Sequence, residues 1–264
     1  MIRFKNISEK IANPYPIIVF KDFLDNQEIK YMSEYFKKNK TDFDKNVMGG
    51  RNTVLKGGIK YRTFIEKNIL GKTLDDFFDN PETFNYIKKE LDNCKTKSKR
   101  KFYTKFNSFT YKKNYLEELK DRFFISKIKN KLIRYHSQIK DRGIIHCHMD
   151  FSEAKAGYQR EPHHDTENRI ISFLLYFNDF EQNNGGNFQI YDFLSENESY
   201  SKRPNINNLK LVKEITPTAG TLVAFYSSPN SIHGVEKIKS DSPSRCFMYG
   251  SYTNINDINW KFTK

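Results

Sequence analysis

The chain changes texture near residue 143. Before that point apolar residues recur at helical intervals; after it short apolar runs alternate with turn residues. Pro16-Ile-Ile-Val-Phe20 reads as a short buried strand, and Asp22-Phe-Leu24 leads from it to Asp25. Asp25 is placed to cap a helix, with Glu28 three residues on completing a capping box. Ile29, Met32 and Phe36 give that helix one apolar face. Gly49, Gly50, Gly57 and Gly58 flank a loop-rich stretch with room for a short hairpin over 52–55. Residues 73–91 read as a second helical region in which Pro81 starts a fresh turn after Asn80. A third spans 115–139, where Leu116, Leu119, Phe123, Ile125, Ile128, Leu132 and Ile133 form an imperfect stripe.

Downstream, short β-rich runs are expected at 144–151, 169–177, 187–191, 209–215, 221–226, 231–235 and 245–253. Gly185-Gly186, Pro217 with Gly220, Pro229-Asn230 and Pro243 punctuate them. So many short strands at this spacing argue for a sandwich, barrel or jelly roll. A helix-rich N-terminal half packed on that β half makes the fold α+β. The expected division is a support region over 1–142, with one or more strands joining the core sheet, and a β core over 143–264, the two integrated as one domain.

Composition sharpens this picture. Among 264 residues, 37% are hydrophobic, and 23 Phe with 16 Tyr supply ample core, so global disorder is excluded. Cys94, Cys147 and Cys246 are odd in number and lack framework spacing, which argues against a disulfide scaffold. The N-terminus lacks the apolar segment of a signal peptide, and the longest apolar stretch, 170–177, is too short to span a bilayer. Together these place the protein in a reducing cytoplasm, with no membrane partner expected. The net charge of +13 raises the question of nucleic acid. The basic residues are scattered, however, and the one dense run, 95–101 (KTKSKRK), reads better as a solvated loop.

Five of the six histidines lie in the β-rich half. His163-His164-Asp165 is an H-x-D triplet, and His233 follows 68 positions after Asp165 (233 − 165). Two imidazoles and one carboxylate on one face of an octahedral ion suit non-haem Fe(II), because open positions remain. At a strand end residues i and i+2 share a side, so His163 and Asp165 reach one metal while His164 points away. H-x-D alone is weak, and His148-Met149-Asp150 repeats it. His146, Cys147 and His148 cannot all meet one ion, because adjacent strand residues face opposite ways; His146 and His148 share a face and are candidates to line a pocket.

Context separates the two triplets. After Asp165 come Arg169-Ile-Ile-Ser-Phe-Leu-Leu-Tyr-Phe-Asn-Asp and Gly185-Gly186-Asn-Phe-Gln-Ile-Tyr. Then follow Pro217-Thr-Ala-Gly-Thr-Leu-Val-Ala-Phe225, Ser231-Ile-His233-Gly-Val-Glu-Lys-Ile and Arg245-Cys-Phe-Met-Tyr. This ordered series resembles the Fe(II)/2-oxoglutarate-dependent oxygenase superfamily, in its prolyl 4-hydroxylase-like branch, with Phe177 where Leu is usual. Pro14 to Leu24 also resembles that branch's opening strand, so the likeness covers about 14–36 and 143–254.

The resemblance implies a double-stranded β-helix of jelly-roll or cupin-like form. It implies His163, Asp165 and His233 as iron ligands and Arg245, twelve positions after His233 (245 − 233), as the clamp on 2-oxoglutarate. A guanidinium offers a carboxylate a planar fork. Arg160 and Lys239 stand next in line for that role, and Arg160 is also a pocket candidate. Tyr158 and Tyr176 are candidates to hydrogen-bond 2-oxoglutarate, His164 to lie behind the ligands or at the surface, and Lys237 and Lys239 to face solvent. No catalytic group is expected beyond the metal ligands.

The implied cofactors are Fe(II), 2-oxoglutarate and O2, with ascorbate as a stimulant. The implied reaction is hydroxylation of an unactivated C–H in a peptidyl (prolyl-type) or small-molecule (amino acid or sugar) substrate, because Asp165 is intact where halogenating relatives lose the carboxylate. The rival readings are an oxidative nucleic-acid demethylase, for which only the charge speaks, and a non-catalytic jelly-roll binding module. Residues 49–63 and 193–208 are expected to supply a pocket lid.

Overall fold

In the computed structural model, residues 4, 7–47, 50–94, 102–116, 142–195, 201, 203–255 and 258–262 are described. They form β1 (Glu9–Ile11), β2 (Ile17–Phe20), α1 (Asn26–Lys38), β3 (Asp44–Val47), β4 (Arg51–Leu55), α2 (Ile59–Lys67), α3 (Ile69–Phe78) and α4 (Pro81–Asp92). Next come β5 (Phe102–Thr104), β6 (Ser108–Tyr111), β7 (Arg142–Ala154), β8 (Arg160–His163), β9 (Arg169–Tyr176) and β10 (Phe188–Phe193). The chain closes with β11 (Leu209–Ile215), β12 (Leu222–Tyr226), β13 (Ile232–Val235), β14 (Arg245–Asn254) and β15 (Trp260–Phe262). From residue 117 on, the third expected helical region lies outside the described residues, as do His136 and the basic run 95–101.

The larger sheet runs β1-β2-β12-β9-β14-β7-β4-β3, with β6 joining β7 in parallel; the smaller runs β11-β10-β13-β8. Together they make a double-stranded β-helix. Period-two alternation explains how the larger sheet is covered on both faces. Ile17 and Val19 of β2, Val223 and Phe225 of β12, and Leu174 and Tyr176 of β9 point inward. There they meet Phe188, Ile190 and Val235 of the smaller sheet. The alternate residues Ile18, Phe20, Leu222, Ala224, Phe173 and Leu175 point outward, onto Met32 and Phe36 of α1, Phe64 of α2, Leu74 and Phe78 of α3, and Ile87 of α4. Strands buried on both faces read as continuous apolar runs, which is the texture of 170–177.

The helices dock through aromatic contacts. Phe78 stacks on Phe173 with ring centroids 4.5 Å apart, and burying such a ring contributes about 1.5–3 kcal/mol. Gly250 of β14 makes room for that ring, since a Cβ there would lie 2.2 Å from it. At α1, Asp25 accepts from the backbone of Gln27 and Glu28 while the Glu28 carboxylate accepts from Asp25 N, so the capping box is formed. Buried Lys56, just after β4, lies 2.6 Å from both Asp75 and Asp79 and pins α3 to the sheet.

Two expectations in the N-terminal half are corrected. Residues 52–55 do not form a hairpin of their own: β4 pairs with β3 on one side and with β7 on the other. Residues 50–63 are not a loop lid, although Arg51 is part of the wall of the cavity described below. They hold β4 and the start of α2, whose Tyr61 and Phe64 are buried against Phe151. Among the described residues no helix is long and apolar enough to cross a membrane.

Candidate metal centre

At one end of the sandwich the apolar inner face gives way to polar side chains. By strand alternation these are His148, Asp150 and Ser152 on β7, Ser172 on β9, and Arg245 and Tyr249 on β14. Opposite them, β8 pairs antiparallel with β13, carrying His163 and His233 with ring centroids 4.5 Å apart. Asp165 is the second residue beyond the end of β8. One ligand atom from each of His163, Asp165 and His233 lies within 4.8 Å of the others, and no other such group of His, Cys, Asp or Glu occurs among the described residues.

Backbone carbonyls set the imidazole tautomers. His163 Nδ1 lies 2.8 Å from the carbonyl of Glu161, and His233 Nδ1 lies 3.0 Å from that of Ser231. With Nδ1–H donating there, each ring keeps its Nε2 lone pair for an ion. Burial, then the neighbouring His233, pulls His163 down to about 3, and burial likewise lowers His233. Both rings are therefore neutral, as metal ligation requires. Burial alone would raise the Asp165 carboxyl, but the Arg169 guanidinium, helped by the hydrogen bond from Ser172, holds it below the usual carboxylate range. Arg169 and Ser172 both donate to that carboxylate, and Arg169 also donates to Tyr249. The set fits a divalent ion that takes two neutral nitrogens and one anionic oxygen and keeps further positions open.

The cavity around this group measures about 310 Å³, and its walls include His148, Asp150, Tyr158, Arg160, Arg169, Phe188 and Arg245. Arg245 is only 1% exposed. Its Nη1 donates to the carbonyl of Gly186, while Nε and Nη2 have no protein partner. Gly185 lets the chain reach that carbonyl: at φ +73° it passes so close to Lys237 O that a Cβ would lie 2.1 Å away. The rings of Phe247, Tyr158 and Tyr176 surround the guanidinium at 4.6, 5.7 and 5.8 Å, and the buried Tyr176 hydroxyl also lacks a partner. A buried cation with two idle donors is costly unless an anion meets it. A dicarboxylate ligating at one end and reaching Arg245 at the other fits that need.

The second H-x-D does not converge on this group. Asp150 accepts from Ser152 at 2.6 Å and from Arg51 at 3.3 Å, although His148 does face the cavity. His146 does not: it lies further along β7, its ring 5.2 Å from that of Tyr115, which corrects its place as a pocket candidate. His164 is fully buried beside Phe193, so it is not at the surface. Lys237 and Lys239 are exposed, and Lys239 is therefore no clamp for a buried carboxylate.

A family model described as the 2OG-Fe(II) oxygenase superfamily matches residues 131–252, a span that contains the ligand group and Arg245. That model covers 122 (252 − 131 + 1) of the chain's 264 residues, just under half of it. This oxygenase family uses Fe(II), 2-oxoglutarate and O2. No curated protein matches the chain. Among solved structures, a prolyl 4-hydroxylase from Phytophthora capsici aligns at 14% identity and TM-score 0.51, over 90% of this chain and 59% of its own. The chain thus spans about three-fifths of that relative's length. A prolyl 4-hydroxylase from Pseudomonas putida aligns at 12% identity and TM-score 0.46, over 91% of this chain and 94% of its own. A viral collagen prolyl hydroxylase from Paramecium bursaria Chlorella virus-1, in complex with 2OG, aligns at 11% and 0.44, over 92% and 98%. At such identities the first likeness speaks for the fold alone.

Sequence reading did not assign roles to Arg169, Ser172, Tyr249 or the Arg51–Asp150 pair. A signal existed for Ser172, a polar residue at an inward position of an otherwise apolar strand.

Proposed function

We propose that the chain is an Fe(II)- and 2-oxoglutarate-dependent dioxygenase that hydroxylates an unactivated C–H of a peptidyl (prolyl-type) or small-molecule substrate, releasing succinate and CO2. One observation carries the reading: buried Arg245, which keeps two donors without a protein partner, lines the same cavity as His163, Asp165 and His233. Iron and 2-oxoglutarate, when bound, supply the oxidising chemistry. The protein's residues do the rest. His163 and His233 present Nε2 because Nδ1 is committed to carbonyls. Arg169 and Ser172 keep Asp165 ionised and aimed. Arg245 offers Nε–H and Nη2–H to the distal carboxylate, and the Tyr176 hydroxyl is a further donor to it. Leu174, Phe188, Val235 and Phe247 line the cavity and limit water. The peptidyl half of the substrate proposal rests on the sequence resemblance to the prolyl 4-hydroxylase-like branch.

The test is conversion of 2-oxoglutarate to succinate without any other substrate, a slow uncoupled turnover expected only with Fe(II). Each of His163→Ala, Asp165→Ala and His233→Ala should abolish it. Succinate formation independent of iron, or undiminished in all three variants, would refute the proposal.

A further inference from the structure

We propose that the molecule this oxygenase oxidises is an anion, and that Arg160 and Arg203 receive its negative group beside His163. The inference rests on the proposed function and follows from where the positive charges of the site are already neutralised. Four arginines line the cavity: Arg51, Arg160, Arg169 and Arg245. Arg51 is paired with Asp150 and Arg169 with Asp165. Arg245 is reserved for 2-oxoglutarate. Arg160 remains, half-buried, its side chain meeting no hydrogen-bond or ion-pair partner among the described residues. With iron and 2-oxoglutarate in place, the site keeps a net positive charge.

Arg160 also forms part of a second recess of about 410 Å³, walled by Gln159, Arg160, Glu161, His163 and Arg203. Two guanidiniums there face one carboxylate. Arg203 is exposed and, like Arg160, has no side-chain partner among the described residues. Arg160 and His163 thus stand between the outer recess and the inner cavity. A carboxylate or phosphate held in the recess would leave the adjoining carbon within the ligand-lined cavity, and paired arginines suit either group because their donors form planar forks. A neutral substrate would leave half-buried Arg160 without a counter-charge.

The test uses protein loaded with Mn(II) in place of Fe(II) and saturated with 2-oxoglutarate. Acetate methyl protons and the phosphorus of inorganic phosphate are titrated in, and their paramagnetic broadening by Mn(II) is followed by NMR, with acetamide as the neutral control. Saturable broadening of at least one anion and none of acetamide is expected. Arg160→Gln and Arg203→Gln should each weaken that anion about tenfold, the loss of one charged hydrogen-bonding partner. The anion bound more tightly tells a carboxylate substrate from a phosphorylated one. Absent anion broadening, or equal affinity in both variants, overturns the inference. Arg203→Gln, in an exposed segment, keeps the test valid if Arg160→Gln does not fold. Failure of Mn(II) or 2-oxoglutarate to load on the unmodified protein would instead remove the proposed function, and this inference with it.

Discussion

His163 and His233 are register partners, directly opposite each other on antiparallel β8 and β13. The sheet itself therefore spaces the two imidazoles, and neither depends on a loop for its position. Removing either ring, or Asp165, should cost most of the Fe(II) or Mn(II) affinity. Ser172→Ala should cost less, about 10- to 100-fold, because it frees a carboxylate that still ligates. His148→Ala should leave metal affinity near that of the parent. Isothermal titration with Mn(II) checks all five; metal binding lost in His148→Ala and kept in His163→Ala would show that the wrong triplet was chosen.

Arg245 should act on co-substrate and stability with opposite signs. Removing one partner of a desolvated charge pair costs about 2–5 kcal/mol, so Arg245→Met should weaken 2-oxoglutarate about 30- to 4,000-fold. Without 2-oxoglutarate, the same change removes a buried cation with idle donors, and the metal-free variant should melt at or above the parent's temperature. Calorimetry with and without 2-oxoglutarate separates the two effects. A variant that melts lower and still responds to 2-oxoglutarate would contradict both.

Lys56 lies between Asp75 and Asp79, which also accept from Tyr61 at 2.9 Å and from Tyr111 at 2.7 Å. Burial pulls the Lys56 amine down, but the two carboxylates outweigh it and the net shift is upward, so the residue is charged. Lys56→Met strands two buried carboxylates and should cost about 3–5 kcal/mol of folding stability. Urea unfolding measures this; a loss under about 1 kcal/mol would mean that water already reaches the cluster.

Acid should destabilise the metal-free protein through its buried histidines. Burial, and then His148, pulls His146 from the ordinary 6.5 down to about 4. Between those values the unfolded chain binds a proton that the folded chain refuses. Stability is thus full above about pH 6.5 and falls as pH drops toward 4, by roughly 1.4 kcal/mol per pH unit for one group. His146→Leu should flatten part of that decline between pH 7 and 5, read from urea midpoints. An unchanged pH dependence would assign the acid sensitivity to other groups.

What the sequence disclosed follows from where each strand lies. β9 and β14 are covered on both faces, so their apolar runs stood out between turn residues. The Asp25–Glu28 box is local chemistry, legible from four residues. The ligands were recognisable because the strands after His163-His164-Asp165 followed in a characteristic order. β8 was harder to see: Arg-Glu-Pro-His has no apolar alternation, and it lies on a sheet edge, where proline and charge are tolerated. Arg51 and Asp150 are 99 residues apart, and no local pattern joins them. His146 shares a face with His148, but two residues along a strand move a side chain roughly 6.6 Å, enough to take it out of the cavity. α2 was hidden by the glycines before it, and its contacts with Phe151, Tyr35 and Phe43, distant in sequence, explain why Tyr61 and Phe64 are buried.

The ligands are divided between the two sheets. His163 and His233 ride on the smaller one, whereas Asp165 is tethered by Arg169 and Ser172 of the larger. An ion gripped by all three is therefore a rivet through the sandwich as well as a reaction centre. Bound at a hundredfold over its dissociation constant, it would add about 2.7 kcal/mol against unfolding. Iron starvation would then shorten the life of the polypeptide itself: a cell short of metal would hold fewer copies of the protein, and those left would open more readily to proteases along the seam between the sheets.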